Sequence, residues 1–237
     1  MIPVDQLLYD IDLKLNKIAT NDHQSIPLED KIIALNEAQV QLIKQKLNPN
    51  NIYKLGFDAF KKRYDDLQVL ISESDVTLTD DKTKTNRFSG DISQMNPTYM
   101  FYVDGFILAN KGSCVDVPLH LILTKHADLF TLLSNTNTSP SFEYQETLLT
   151  ISNNRAEVYT DGEFIPSVLT IKYIRYPKKI DASGYIHFDE SESVDQDCEL
   201  PEYLKDELVD LAVKELAMST ENHNAVQYSQ DRILNNE

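Results

Sequence analysis

Large apolar residues near the start of the chain recur three and four places apart, at Leu7, Leu8, Ile11, Leu15 and Ile18. That spacing predicts a helix over 5–19 with one apolar face. The segment NDHQSIP interrupts it. Pro27 suits a helical first turn, Glu29 and Asp30 favour the positive end of the dipole, and Leu28, Ile32, Leu35, Ala38, Leu42 and Ile43 carry a second stripe to 47, where NPNN ends it. Phe57, Phe60, Tyr64, Leu67 and Ile71 predict a third helix over 57–71.

The pattern then changes. Residues 72–93 are polar and rich in turn formers, which predicts a loop or connection. Between 98 and 176 the runs TYMFYVDGFILA, CVDVPLHLIL, SFEYQETLLTI, AEVYT and VLTIKYIRY are dense in aromatic and β-branched residues and are separated by KGS, SNN, DGEFIP and similar turns. They predict five strands. HADLFTLLSN, among them, predicts one short helical turn. The stretch 189–199 is rich in acids and has no base, which predicts a solvated loop. A last helix is predicted from Pro201, with Leu204, Leu208, Leu211, Ala212, Glu215 and Leu216 along its inner face. The tail 220–237 scatters Val226, Tyr228, Ile233 and Leu234 among polar residues, a composition suited to ordering on a neighbouring chain.

Because each amphipathic helix has a stripe it cannot bury alone, the predicted class is α+β: a helical bundle from both chain ends with an inserted antiparallel β-rich domain. The corresponding boundaries are a helical domain of 1–75 together with 200–237, and an inserted domain of 76–199.

Composition narrows the chemistry. Of 237 residues, 41% are hydrophobic and 25% charged, as in ordinary globular chains. The formal charge of −16 opposes any general affinity for nucleic acid, which needs clustered cations. Two basic islands, Lys61-Lys62-Arg63 and the set Lys172, Arg175, Lys178 and Lys179, read as partners of nearby acids on solvated faces. Cys114 and Cys198 are far apart and form no CxxC, which suggests a reducing compartment and neither a disulfide framework nor a zinc site. The N-terminal stretch has acids where a signal peptide would carry bases, and no apolar run approaches the ~18 residues of a membrane span. Cytosol-like surroundings and no membrane partner are the expectation.

No residues with catalytic or metal-binding chemistry gather at a workable spacing. His23, His120, His126, His187 and His223 are scattered, with no HExxH pair. Asp195, Asp197 and Glu199 alternate like part of a calcium loop, without its glycine or distal glutamate. Cys114 falls in a predicted strand, where a thiol is usually a small core residue. Neither GxSxG, GxxxxGK nor GxGxxG occurs, and pairs such as Asp65-Asp66 are expected by chance among 38 acids. The reading is therefore of a protein that is not an enzyme, with no catalytic, cofactor-binding or metal residues and no cofactor.

Several segments, in order, carry a resemblance: IDLKLNKIATND, ALNEAQVQLIKQKL, DAFKKRYDDLQVL, PSFEYQETL, VYTDG, LTIKYIRYPKKID and ELPEYLKDELVDLAVKELAM. Together they cover most of the chain, and the passage from YIRYPKKID to ELP and VDLAV is the most specific. With them the chain resembles the head-to-tail connector proteins of tailed bacteriophages, in particular the ring proteins of crAss-like phages and the tail tubular protein A, or gatekeeper, of short-tailed phages. The resemblance implies helices from both chain ends beside an inserted β-domain. It also implies a ring of twelve subunits beneath the portal, contacts with the portal protein and adjacent tail proteins, and passage of double-stranded DNA without sequence-specific binding. The implied location is the virion, after assembly in the bacterial host cytoplasm. An acidic channel would repel phosphate and let DNA slide during packaging and ejection; acidity that merely keeps the subunit soluble is the competing explanation. Two other readings stay open: a tail ring or tail-completion protein further from the portal, and an acidic regulatory protein that mimics nucleic acid.

Overall fold

The computed structural model describes residues 1–18, 26–47, 65–81, 86–93 and 95–219. The chain divides into two compact units, one of Met1–Leu70 with Pro177–Glu237 and one of Ile71–Tyr176.

The second unit is a large curled mixed sheet of eight strands: β1 (Ile71–Thr77), β2 (Thr79–Asp80), β3 (Arg87–Asp91), β4 (Tyr99–Lys111), β5 (Cys114–Leu123), β6 (Glu146–Ser152), β7 (Arg155–Tyr159) and β8 (Ile165–Arg175). Their order is β1-β8-β4-β5-β6-β7-β3-β2. Every pair is antiparallel except β5 with β6, which are parallel. A parallel neighbour needs a crossover, and the segment between β5 and β6 supplies it with a short helix, α3 (Leu129–Ser134). The β6–β7 hairpin turns on Asn153 and Asn154, both at positive φ (47° and 58°), the twist that a two-residue hairpin requires and asparagine tolerates.

β1 and β2 are almost one strand, broken only at Leu78. The first part pairs with β8 and the second with β3, so the same stretch joins both margins of the sheet and curls it. Gly90 sits at this closure, where an added Cβ would lie 2.5 Å from Val76 Cγ1. Ile107, Leu119, Leu121, Leu149, Val158, Phe164, Leu169, Ile171 and Tyr173 fill the interior. The Tyr173 hydroxyl donates to the Pro97 carbonyl at 2.6 Å, so its polar end is satisfied.

The first unit contains α1 (Val4–Ile18), α2 (Leu28–Leu47) and α4 (Lys205–Ser219). α4 lies against both α1 and α2. Its residues 208–213 are buried without interruption, which marks it as the central element of the unit rather than a helix with one covered face. The burial includes Asp210, matched by Lys14 at 2.7 Å; Lys205 with Asp10 (3.0 Å) and Lys46 with Glu207 (2.6 Å) tie the same helix to α1 and α2. Extended chain completes the unit. Ile2 and Cys198 exchange two backbone hydrogen bonds of 2.9 and 3.0 Å.

The predicted class therefore needs correction. The molecule is mostly a curled mixed sheet; its helices are short and do not make a bundle from both ends, and the β-rich part is not purely antiparallel. The amphipathic stripes pointed to helices but not to the extended segment 177–200 that packs with them. The region 72–93, predicted as a loop, contains most of β1, all of the β2–β3 pairing and the closure of the sheet. Its polar residues are ordered by their partners: Asp75 accepts from Thr170 Oγ1 at 2.6 Å and Glu73 lies 3.7 Å from Lys172, each directly across from its partner in β8. Most of the helix predicted over 57–71 lies outside the described residues, as does the tail 220–237, and its last residue, Ile71, begins β1 instead.

Candidate functional site

The first unit contains a groove of about 730 Å³ between the outer face of α2 and the chain 179–196. It exists because one asparagine holds those two pieces together. Asn36 Nδ2 donates to the Ile180 carbonyl at 2.8 Å while Ile180 N–H donates to Asn36 Oδ1 at 2.9 Å. The side-chain amide thereby pairs with Ile180 as a neighbouring strand would.

Asp181 then organises the loop that forms the opposite wall. Its Oδ1 accepts from Ala182 N–H (2.9 Å) and the Tyr185 hydroxyl (2.7 Å). Its Oδ2 accepts from Val194 N–H (3.0 Å) and lies 3.0 Å from His187 Nε2. Burial works against ionisation of this carboxyl, but the bonds from Tyr185, Val194, His187 and Ala182 outweigh it and hold the group below the ordinary aspartate range. Burial and the same bond push the Tyr185 phenol up. The Tyr185 and His187 rings meet edge to face with centroids 4.9 Å apart. All four of these contacts stay within the loop, so Asp181 acts as its scaffold.

The lining of the groove is mixed in a definite way. Ile32, Ile33, Ile180, Phe188 and Val194 make it apolar, and Glu29, Glu37, Asp181, Asp189 and Asp195 make its rim acidic, against Lys179 and His187. Phe188 is fully exposed and Val194 is 67% exposed, so the mouth is a greasy surface in water. Exposed apolar surface rimmed by polar residues is the kind of surface at which macromolecules bind.

The remaining residues singled out from sequence are dispersed. His120 is 3.8 Å from Asp104 on the surface, and His126 Nε2 is 3.3 Å from the Ile151 carbonyl. His23, His223 and Lys61-Lys62-Arg63 lie outside the described residues. Asp195, Asp197 and Glu199 do not converge: they accept from the backbone N–H of Ser183 (2.6 Å), Val4 (3.1 Å) and Lys178 (3.0 Å) respectively, so the acidic loop is tied down by its own carboxylates. Among the described residues no group of three His, Cys, Asp or Glu is placed to hold a metal ion. Asp66 is buried beside Lys46 at 3.6 Å. Cys114 is in β5 as predicted but exposed, not a core residue, because it stands at the first position after the β4–β5 turn. Cys198 is buried, and burial pushes its thiol up to about 11. Lys172 faces Glu73, Lys178 faces Glu199, and Lys179 reaches the groove. Among the described residues the tyrosines include core positions such as Tyr173 and exposed ones such as Tyr9, Tyr144, Tyr176 and Tyr203. No helix of the described residues is long and apolar enough to cross a membrane.

Sequence reasoning missed Asn36, Asp181 and Phe188. Asn36 and Ile180 are 144 positions apart, and no local pattern joins them. The chain matches none of the known protein-family models, and no curated protein matches it.

Proposed function

We propose that this chain is a virion structural protein that forms a ring in the head-to-tail connector of a tailed bacteriophage, below the portal, and gives passage to the genome. The reading is carried by the ordered resemblance that runs from IDLKLNKIATND to ELPEYLKDELVDLAVKELAM over most of the chain. Its physical support is a chain of −16 charge that exposes apolar residues on a groove, at Ile33, Phe188 and Val194, and at the crossover between β5 and β6, at Ile122, Leu123 and Phe130, surfaces that an assembling subunit can use. The partners in this reading are other copies of the chain, twelve to a ring, the portal protein and adjacent tail proteins. DNA passes without sequence-specific contact, and an acidic lining would keep it from sticking. Membership of the virion follows, with assembly in the host cytoplasm. Neither catalysis nor a cofactor has a part in it.

The strong negative charge also favours a second reading, an acidic protein that occupies a basic nucleic-acid-binding partner. Purified particles separate the two. The connector reading predicts the chain at a fixed ratio to portal protein in particles washed at high salt, released with the portal when heads and tails are dissociated. Recovery only from the host lysate, as a monomer or dimer on a basic protein, would overturn it.

A further inference from the structure

The crossover between β5 and β6 carries a short apolar helix that the molecule covers only in part: Leu129, Leu132 and Leu133 are half-buried and Phe130 is left exposed. α3 reads LFTLLS, and none of its residues is buried. Phe130 is 82% exposed, and Ile122 and Leu123 at the end of β5, just before it, are 39% and 49% exposed. A helix with this composition normally exists to bury its apolar side chains. On the other unit the groove presents the converse: Ile33 at 49%, Val194 at 67% and Phe188 wholly exposed around a concave space. One chain thus carries a protrusion with an exposed Phe130 and a groove with exposed Ile33, Phe188 and Val194.

Charge selects between possible occupants of that groove. Its acidic rim, with Asp181, Asp189 and Asp195 on the loop wall, repels most surfaces of a protein at −16. The protrusion is exempt. From 124 to 142 it has a single acid, Asp128, balanced by the exposed Lys125 and accompanied by the exposed His126.

We infer that the α3 protrusion of one copy inserts Phe130 into the α2–loop groove of the next copy, with Lys125 facing the acidic rim. The inference rests on the ring reading and supplies its subunit contact. Protrusion and groove are different surfaces, so the contact is heterologous: each copy uses both once, and the series closes into a ring or continues as a filament. Apolar burial supplies the affinity, and the rim fixes the orientation.

The test uses the full chain with Cys114→Ser, so that the exposed native thiol is removed while Cys198 stays buried. Into it are placed Phe130→Cys and Val194→Cys, together and singly. Under mild oxidation the double variant should give a ladder of covalent multimers beyond the dimer on a non-reducing gel, and each single variant should not. In parallel, Phe130→Asp and Ile33→Asp change exposed side chains, so their melting should match the parent while self-association weakens by about tenfold or more in light scattering. A closed ring with no ladder, and with association unaffected by Phe130→Asp, would overturn the contact and leave the ring reading standing. A disulfide confined within one chain, or a product that stops at the dimer, would also overturn it. A chain that is monomeric at every concentration and gives no ladder would overturn both.

Discussion

Replacing Asn36 by alanine should open the groove wall at a cost that can be worked from the structure. The side chain makes three hydrogen bonds: to the Ile32 carbonyl at 2.9 Å, to the Ile180 carbonyl at 2.8 Å, and from Ile180 N–H at 2.9 Å. The first is to a carbonyl already inside α2, so its loss matters little. The other two leave both backbone groups of Ile180 without partners, and Ile180 is only 1% exposed, so water cannot replace the amide unless the segment lifts away. An orphaned buried polar group costs about 1–3 kcal/mol, so two of them put Asn36→Ala at roughly 2–6 kcal/mol, toward the lower end if the segment lifts to admit water. Asn36→Asp should also destabilise, because a carboxylate still accepts from Ile180 N–H but opposes the Ile180 carbonyl. Urea titration followed by far-ultraviolet circular dichroism measures both. A loss below about 0.5 kcal/mol for Asn36→Ala, the range of ordinary surface changes, would refute the claim that this amide holds 177–196 against α2.

Gly105→Ala should cost about 1–3 kcal/mol in the same assay, since its Cβ would lie 2.8 Å from the Thr170 carbonyl oxygen and 3.1 Å from Leu121 Cδ1; an unchanged midpoint would mean that β4 and β8 can separate there freely. The acid side of the stability curve should depend on Asp181. Its carboxyl sits below the ordinary 3.8 in the folded state, so the unfolded chain binds the proton more readily, and the stabilisation is complete above that value and lost as pH falls through the lower folded one. Asp181→Asn should therefore flatten stability against pH below about 4, and an identical acid slope in both proteins would contradict the scaffold role. In the native protein a thiol reagent should modify the exposed Cys114 rapidly and Cys198 only on unfolding, because Cys198 is buried and its thiol is pushed up to about 11; equal rates would place Cys198 at the surface.

The strands from 99 to 175 were legible because aromatic and β-branched residues dominate them and asparagine or glycine marks their turns. α1, α2 and α4 were legible because their stripes keep helical spacing. β1 was not, since Ser72, Glu73, Ser74 and Asp75 have no strand composition; pairing along β8 makes the strand, and that partner is nearly a hundred residues away. The parallel joint between β5 and β6 has no local signal either, because strand order is a property of the closed sheet. The start of SFEYQETLLTI forms turns before β6 opens at Glu146, although its aromatics fit a strand. At the groove, an acidic stretch that reads as solvated is held rigid by its own carboxylates bonding backbone N–H groups. Charge composition alone could not distinguish a loop that is tied from one that is merely wet.

The central claim is that this chain is a ring in the connector, and an averaged electron-microscopic image of the particle with the chain located by a fused tag tests it most directly. The account predicts density for a closed ring of twelve copies, coaxial with the portal and between it and the tail, with an open channel at its centre. Tag density absent from the particle, or found at the capsid surface away from the axis, would contradict it.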